Sequence, residues 1–143
     1  HQKSGVPRNK IIEIHGNAIE AACLECGAKQ NIADFHDAIK TKKQLPRCTV
    51  CNGTVKVATI SFGQPMCEED MEKASNIVED SDLMIVMGSS LKVLPAGKLP
   101  NLAMQSGSKL VILNREKTRY DSIADMVIND ELQNICSGLI QKL

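Results

Sequence analysis

Two pairs of closely spaced cysteines constrain the fold of this chain more than any other feature. They are Cys23-x-x-Cys26 and Cys48-x-x-Cys51, with 21 residues between the pairs. Each CxxC turn directs two thiolates toward one point, and two such turns supply the four ligands of tetrahedral zinc. The interval is slightly longer than the common one of about 15–20 residues. The pattern predicts a structural zinc module, with paired disulfides or a redox-active CxxC as alternatives.

Four thiolates would fill the coordination sphere of one zinc ion, so the metal is expected to hold the fold and to take no part in chemistry. The two remaining cysteines, Cys67 and Cys136, are interpreted as an ordinary thiol and a core residue. Residues 1–5 have neither an initiator methionine nor the build of a signal peptide. Together with the paired cysteines, this predicts a reducing, cytoplasmic compartment, where disulfides are rare.

The charge balance argues against binding to nucleic acid or to a membrane surface. The chain has 143 residues, with 17 Lys and Arg against 17 Asp and Glu. Without net charge there is no long-range field to gather phosphates or anionic lipids. The longest apolar run, Leu83–Met87, is far shorter than the roughly 18 residues of a membrane span. Neither partner is therefore expected.

The second half of the chain alternates between helical and strand patterns. Continuous apolar runs bounded by polar residues are typical of strands buried on both faces of a parallel sheet. The predicted strands are Leu83–Met87, Lys109–Leu113 and Met126–Ile128, and helices are expected over Glu68–Glu79, from Leu99 to Gly107, and from Leu132 to Leu143. This order favours an open, mostly parallel α/β sheet.

The first half of the chain predicts fewer regular elements. Residues 10–14, with the sequence KIIEI, are predicted to form one more strand. Asp34 is expected to cap a short helix that runs through Lys43 with Phe35, Ala38 and Ile39 facing inward.

Small and polar residues follow each predicted parallel strand. Gly88-Ser89-Ser90 follows the first, Asn114-Arg115 the second and Asn129 the third. Ligands of open α/β sheets bind beyond the carboxyl ends of the strands, so these residues are candidates for a nucleotide site. The same residue types also form ordinary turns, and no GxGxxG fingerprint is present.

The chain resembles the C-terminal part of the sirtuins, a family of NAD-dependent protein-lysine deacylases. The matching segments occur in the family's order and extend through nearly the whole chain. They are HQKSG at 1–5, IEIHGN at 12–17, the two CxxC pairs, Phe62-Gly63, GSSLKVLPA at 88–96 and KLVILN at 109–114.

The resemblance implies a domain organisation. Residues 16–61 would form the zinc-binding module, a zinc ribbon with four cysteine ligands. Residues 1–15 and 62–143 would form the C-terminal part of a Rossmann-like NAD-binding domain, whose N-terminal half is absent. The cofactors implied are one structural Zn²⁺ per chain and NAD⁺ as co-substrate, and the partner implied is an acylated-lysine protein or peptide.

The resemblance also assigns residues to roles. His1 aligns with the family's catalytic histidine, a general base for the ribose hydroxyl. The expected cofactor-binding residues are Gly88, Ser89, Ser90, Asn114, Arg115, Val127 and Ile128. The expected substrate-binding residues, along the acyl-lysine tunnel, are Ile60, Phe62, Gly63 and Val93.

The expected reaction removes acyl groups from protein lysines and gives nicotinamide and O-acyl-ADP-ribose. Because the Gly-rich loop and other parts of the cofactor pocket are missing, this chain alone is expected to be inactive and to self-associate through its truncated sheet. Val57, Ser61 and Gln64 depart from the family pattern near the peptide cleft. The alternatives are mono-ADP-ribosyl transfer and a non-catalytic zinc-ribbon interaction module.

Overall fold

The chain divides into two compact units. They comprise His1–Cys67 and Glu68–Leu143 in a computed structural model that describes residues 1–41 and 44–142. Each unit contains its own three-stranded sheet, antiparallel in the first and parallel in the second. Each unit also has a separate cluster of buried side chains.

The sheet of the first unit is centred on strand β1 (Gly16–Cys23). Strands β2 (Lys29–Asn31) and β3 (Val55–Thr59) pair with it on either side. The buried cluster beneath this sheet comprises Ala21, Cys23, Phe35, Cys48 and Val55. Two of these five residues are cysteines of the CxxC pairs, so the small core and the candidate metal site overlap.

The start of β1 requires a glycine. Gly16 has φ +68°, and a Cβ at this position would overlap the carbonyl oxygen of Ala58 on β3. The register between β1 and β3 shifts between Gly16 and Ala21. Such an irregularity brings two backbones close together where a side chain cannot fit.

The predicted strand over residues 10–14 is wrong. Arg8–Lys10 forms a 3₁₀ turn, and the first strand begins only at Gly16. Ile11, Ile12 and Ile14 are half-buried without pairing to another strand. Their apolar character reflects packing, which strand propensity alone cannot distinguish from a sheet position.

The predicted helix from residue 34 starts differently. A 3₁₀ turn, Ile32–Phe35, precedes α1 (His36–Lys40), and the cap is Asn31, whose side chain accepts from the Ala33 N–H at 2.9 Å. Capping by Asp34 is therefore wrong, because the earlier Asx residue begins the turn. Phe35 is buried as expected, whereas Ile39 is 48% exposed. Lys43, the expected helix end, lies outside the described residues.

The second unit confirms the predicted α/β sheet. Strands β4 (Leu83–Met87), β5 (Lys109–Leu113) and β6 (Met126–Ile128) are parallel and lie in that order. The helices are α2 (Glu68–Glu79), α3 (Leu99–Gln105) and α4 (Leu132–Ile140). Leu143, the expected last apolar position of the closing helix, is outside the described residues.

The core of the second unit is almost entirely aliphatic. Its buried cluster comprises Val86, Leu91, Leu110, Ile112 and Tyr120. Within residues 1–41 and 44–142, no helix is long and apolar enough to cross a membrane.

Candidate functional site

The four cysteines of the CxxC pairs converge on one point. All four sulfur atoms lie within 4.8 Å of one another, with Cys23 and Cys51 at 3.5 Å and Cys26 and Cys48 at 3.7 Å. Zinc–sulfur bonds of about 2.3 Å in a tetrahedron place the sulfurs about 3.8 Å apart. All six cysteines of the chain are free thiols in the structure. The donor set and its spacing fit one structural zinc ion.

Local backbone turns aim these thiols. The Gly27 N–H donates to the Cys23 carbonyl at 3.1 Å, and the Asn52 N–H donates to the Cys48 carbonyl at 2.9 Å. Within the same turns, backbone N–H groups of Cys26 and Val50 point at the sulfurs of Cys23 and Cys48, at 3.5 and 3.4 Å. Such donors favour the thiolate form that a metal binds.

The thiols experience opposite electrostatic environments. Backbone donation from Cys51, with further hydrogen bonds from Val50 and Gln30, lowers the pKa of Cys48 to about 6. The Cys26 N–H lowers the pKa of Cys23, but burial and the Cys51 and Glu25 side chains raise it to about 12 overall. Four adjacent thiolates repel one another, and a divalent cation removes that conflict by deprotonating and neutralising them together.

Two side chains beside the cysteines were missed by sequence reasoning. The Gln30 amide donates to the Cys48 sulfur at 3.2 Å and its oxygen accepts from the Thr49 N–H at 3.2 Å. The Glu25 carboxylate lies 3.3 Å from the Cys23 sulfur. Glu25 lies between the two cysteines of the first CxxC pair, so the sequence could have identified it as a neighbour of the site. Gln30 lies on β2 and belongs to no sequence motif.

The candidate nucleotide residues line the carboxyl edge of the parallel sheet. Gly88 donates its N–H to the Leu113 carbonyl at 3.0 Å, and Asn114 donates its N–H to the Ile128 carbonyl at 3.1 Å. The Asn129 side chain donates to the Asn114 carbonyl at 3.0 Å. The ends of β4, β5 and β6 are thereby joined into one continuous edge.

Side chains along this edge differ in exposure. Gly88 and Ser90 are exposed, Ser89 is half-buried, and Asn114 is 8% exposed and donates through its side chain to the Glu116 carbonyl at 2.6 Å. The hydroxyl of Ser89 accepts from the Leu91 N–H at 3.3 Å. Residues 88–90 of this edge therefore present backbone and small polar groups, which suit phosphates and ribose.

The remaining expected edge residues have other partners. Arg115 is exposed and pairs with Glu131 at 3.1 Å and Glu116 at 3.6 Å. Val127 is half-buried and packs against the core cluster, whereas Ile128 is 37% exposed. Arg115 can exchange an exposed carboxylate for a bound anion, since such surface ion pairs are weak.

His1 belongs to the first unit. It is exposed and precedes a 3₁₀ turn, Gln2–Ser4, whose residue Ser4 donates its N–H and hydroxyl to the His1 carbonyl at 3.0 and 2.7 Å. The Gln2 amide in turn donates to the Glu13 carboxylate at 2.8 Å. The backbone of His1 is thus fixed, while its imidazole remains accessible.

The expected acyl-lysine residues Phe62 and Gly63 form the tip of a β-turn. The Gln64 N–H donates to the Ser61 carbonyl at 3.0 Å, and Gly63 at the third position has φ +80°. This geometry leaves the Phe62 ring 96% exposed. Ile60 is half-buried and donates its N–H to the His15 carbonyl at 2.9 Å.

Val93 belongs to the second unit, in residues 88–98, where it is 45% exposed. The structure therefore groups the four cysteines, and separately groups the edge residues. His1 and Phe62 lie in the first unit with the cysteines, and Val93 lies with the edge residues in the second.

A four-cysteine cluster that fits zinc in one unit and a parallel sheet with helices in the other define an α/β class of protein with a zinc-ribbon module. The family model "Sir2 family" matches residues 1–95. This chain belongs to the Sir2 family.

Two curated relatives are NAD-dependent protein deacetylase 1 of Bradyrhizobium diazoefficiens, 45% identical, and NAD-dependent protein deacetylase of Rhodopseudomonas palustris, 42% identical. Each alignment covers 92% of this chain and 52% of the relative. A solved structure of Sir2Tm bound to a propionylated peptide superposes with a TM-score of 0.90 at 32% identity, covering 99% of this chain and 59% of that one. The chain spans about half the length of the curated relatives it matches.

Proposed function

We propose that this chain is part of an NAD-dependent enzyme that removes acetyl or other acyl groups from protein lysines. The products are nicotinamide and O-acyl-ADP-ribose, so the enzyme is formally a transferase. The observation that carries the proposal is the Sir2 family match, which includes His1, the four cysteines and residues 88–95 after β4. Relatives named as NAD-dependent deacetylases, and a similar structure holding a propionylated peptide, support it.

In this proposal His1 is the general base. Imidazoles titrate near neutral pH, so one can accept a proton from a ribose hydroxyl and later return it. The backbone of His1 is held by the Ser4 donors while the side chain stays exposed. That arrangement supports a base that must reach a bound substrate.

The carboxyl edge of the parallel sheet would hold NAD. Gly88, Ser89 and Ser90 would receive the phosphates, Asn114 and Arg115 the adenosine ribose, and the backbone of Val127 and Ile128 would lie near the adenine. When bound, NAD supplies the glycosidic bond whose cleavage opens the ribose carbon to the acyl oxygen. The small residues and joined strand ends of this edge support the assignment.

Ile60, Phe62, Gly63 and Val93 are proposed as the residues that bind the acyl-lysine side chain. The Phe62 ring, at the tip of a turn, is 96% exposed. Exposure of an apolar ring to water is unfavourable, so a ligand that covers this ring would gain binding free energy. Apolar contacts of this kind suit the long aliphatic stem of lysine. The zinc ligands Cys23, Cys26, Cys48 and Cys51 hold the fold and take no part in this chemistry.

The proposed domain division places residues 16–61 in the zinc module, and residues 1–15 and 62–143 in the Rossmann-like domain. The sheet of the first unit lies entirely within 16–61, which supports those limits for the zinc module, whereas residues 1–15 and 62–67 belong to the same compact unit as that sheet. A reducing, cytoplasmic location is proposed because zinc binding by four cysteines requires that they stay reduced.

The 143-residue chain by itself is proposed to be inactive and to self-associate. It spans about half of its relatives. Strand β4 is an edge strand on which Leu83, Ile85 and Met87 are each about half exposed, a surface suited to contact with a second copy. Light scattering on the chain and on Ile85→Lys tests this, since the variant is expected to be monomeric.

The experiment for the main proposal measures turnover of an acetyl-lysine peptide with NAD by the full-length enzyme. We expect release of nicotinamide and O-acetyl-ADP-ribose, and a loss of about 10²–10⁴-fold in His1→Ala. His36→Ala is the matched control, because His36 is an exposed histidine on α1. Transfer of ADP-ribose to the peptide, or full activity of His1→Ala, would overturn the proposal.

A further inference from the structure

Residues 88–98 form a loop that ends in a 3₁₀ turn, Ala96–Lys98, and brings Gly97 against the backbone of Leu91. Leu91 has φ +56°, unusual for a branched residue, and its side chain is buried in the core cluster. A Cβ at residue 97 would overlap the Leu91 carbonyl oxygen, so only glycine fits there. Gly97 is buried against Leu91, and Val93 and Leu94 between them are about half exposed.

Two neighbouring side chains from the segment after β5 fix this closed loop. The Tyr120 hydroxyl donates to the Gly97 carbonyl at 2.9 Å, and the Arg119 guanidinium donates to the same oxygen at 2.7 Å. The guanidinium also lies 5.1 Å from the centre of the Tyr120 ring. A cation over a ring face holds both donors in one arrangement.

Tyr120 is itself rigidly placed. It is 7% exposed and belongs to the core cluster of the second unit. Its N–H donates to the Thr118 hydroxyl at 3.2 Å, and that hydroxyl donates to the Asp121 carboxylate at 2.6 Å. The hydrogen bond from Thr118 keeps the pKa of Asp121 below its usual value, so the acceptor stays charged.

The clamp formed by Arg119 and Tyr120 reaches Val93 through one further hydrogen bond. The Gly97 N–H donates to the Val93 carbonyl at 2.7 Å. Tyr120 and Arg119 therefore hold the Gly97 peptide, and Gly97 holds the backbone of Val93. No side chain of the clamp needs to touch a substrate for this effect.

We propose that Arg119 and Tyr120 are positioning residues that set the affinity for the acyl-lysine substrate by fixing the backbone of Val93. The inference rests on the proposed function, in which Val93 contacts the acyl-lysine side chain. An ordered loop binds without first losing conformational freedom, so loosening it weakens binding more than it slows chemistry.

The test compares steady-state kinetics of full-length wild-type enzyme, Tyr120→Phe, and the double variant Arg119→Met/Tyr120→Phe. Removing hydrogen bonds to a buried carbonyl is expected to raise the KM for the acetyl-lysine peptide about fivefold to tenfold in the double variant, with kcat within about twofold. Tyr120→Phe keeps the Arg119 donor and the ring, and its KM is expected to stay within about twofold of wild type.

Lys109→Met is the matched control. It removes an ion pair with Asp125 at the opposite end of β5, so it tests whether loss of stability alone changes KM. An unchanged KM in the double variant, or an equal rise in Lys109→Met, would overturn the inference.

A second measurement does not depend on turnover. Hydrogen exchange of the Gly97 amide is expected to accelerate at least about tenfold in the double variant and to stay unchanged in Lys109→Met. Unchanged exchange would contradict the clamp itself. A wild-type enzyme that shows this protection but no deacylation would contradict the proposed function and leave the clamp standing.

Discussion

The two units of this chain achieve a stable fold by different means. The first has five residues in its buried cluster, and two of them are metal-ligand cysteines. The second has Leu110 and Ile112 fully buried at the centre of a parallel sheet. We therefore expect stability in the first unit to depend on a metal and on the protonation of thiols, and stability in the second to depend on aliphatic burial.

The largest expected effect is a substitution that unfolds the first unit and leaves the second folded. Cys48→Ser removes a ligand that is also a core residue, so we expect loss of bound zinc and unfolding of the first unit, with the second unit intact. Metal analysis and limited proteolysis measure the two outcomes. Cys67→Ser, at an exposed cysteine outside the cluster, is the control and is expected to retain one zinc per chain.

A core substitution in the second unit is expected to destabilise that unit and leave the zinc site unchanged. Ile112→Ala opens a cavity at a fully buried position and is expected to lower the free energy of unfolding by about 2–5 kcal/mol without changing zinc content. Urea unfolding checks the prediction. Ile123→Ala, at a side chain that is 57% exposed, is expected to cost less than about 0.5 kcal/mol. Similar losses in the two variants would contradict the assigned core.

A third change tests whether backbone packing also supports the first unit. Gly16→Ala places a Cβ against the Ala58 carbonyl and is expected to lower the unfolding free energy of the zinc-loaded unit by more than about 2 kcal/mol. Gly5→Ala shares the positive φ but faces open space, so a cost of only about 1 kcal/mol is expected. Chemical denaturation with zinc present compares them. Equal losses of unfolding free energy in the two variants would show that β3 shifts to make room for the added methyl group at residue 16.

The smallest expected effect concerns pH. Lys109 and the Leu110 N–H donate to Asp125 at 2.8 and 2.9 Å, which lowers the pKa of Asp125, and the same ion pair raises the pKa of Lys109. Stability from Asp125 is thus present above its unfolded pKa of about 3.9 and is lost as pH falls through the folded pKa. Stability from Lys109 is present below its unfolded pKa of about 10.4 and is lost as pH rises through the folded value.

Asp125→Asn is therefore expected to destabilise the second unit at pH 7 and to match wild type once the pH is below the folded pKa. Urea midpoints across a pH series measure this, with the exposed Asp80→Asn as control. Zinc release from the first unit is expected at higher pH than this transition, because thiolates take up protons before carboxylates do. A variant that remained less stable at every pH would rule out the ionic explanation.

The sequence predicted the second unit better than the first. The Lys109–Leu113 run is continuous because this central parallel strand is covered on both faces, and polar residues bound it sharply. The Leu83–Met87 run also forms the predicted strand, but burial on both faces is wrong for it, because it lies at the sheet edge with Leu83, Ile85 and Met87 about half exposed. The first unit has short elements whose limits depend on local hydrogen bonds. Asn31 begins a turn three residues before the expected cap, and Ile12 is half-buried without belonging to a strand.

The candidate site shows the same division. The spacing of the two CxxC pairs predicted four metal ligands, and the structure brings their sulfur atoms within 4.8 Å of one another. Gln30 meets Cys48 across 18 residues of sequence, and Tyr120 meets Gly97 across 23. Contacts of that separation depend on the folded sheet, and no local pattern marks them.

The overlap of core and metal site in the first unit has a consequence for the amount of protein in a cell. Because Cys23 and Cys48 are both candidate ligands and core residues, a chain without zinc loses a crosslink and keeps their thiols unneutralised within its small core. By mass action, the folded fraction then rises with the free zinc concentration, and unfolded chains are open to proteases. We therefore expect the steady-state abundance of this protein to follow zinc supply.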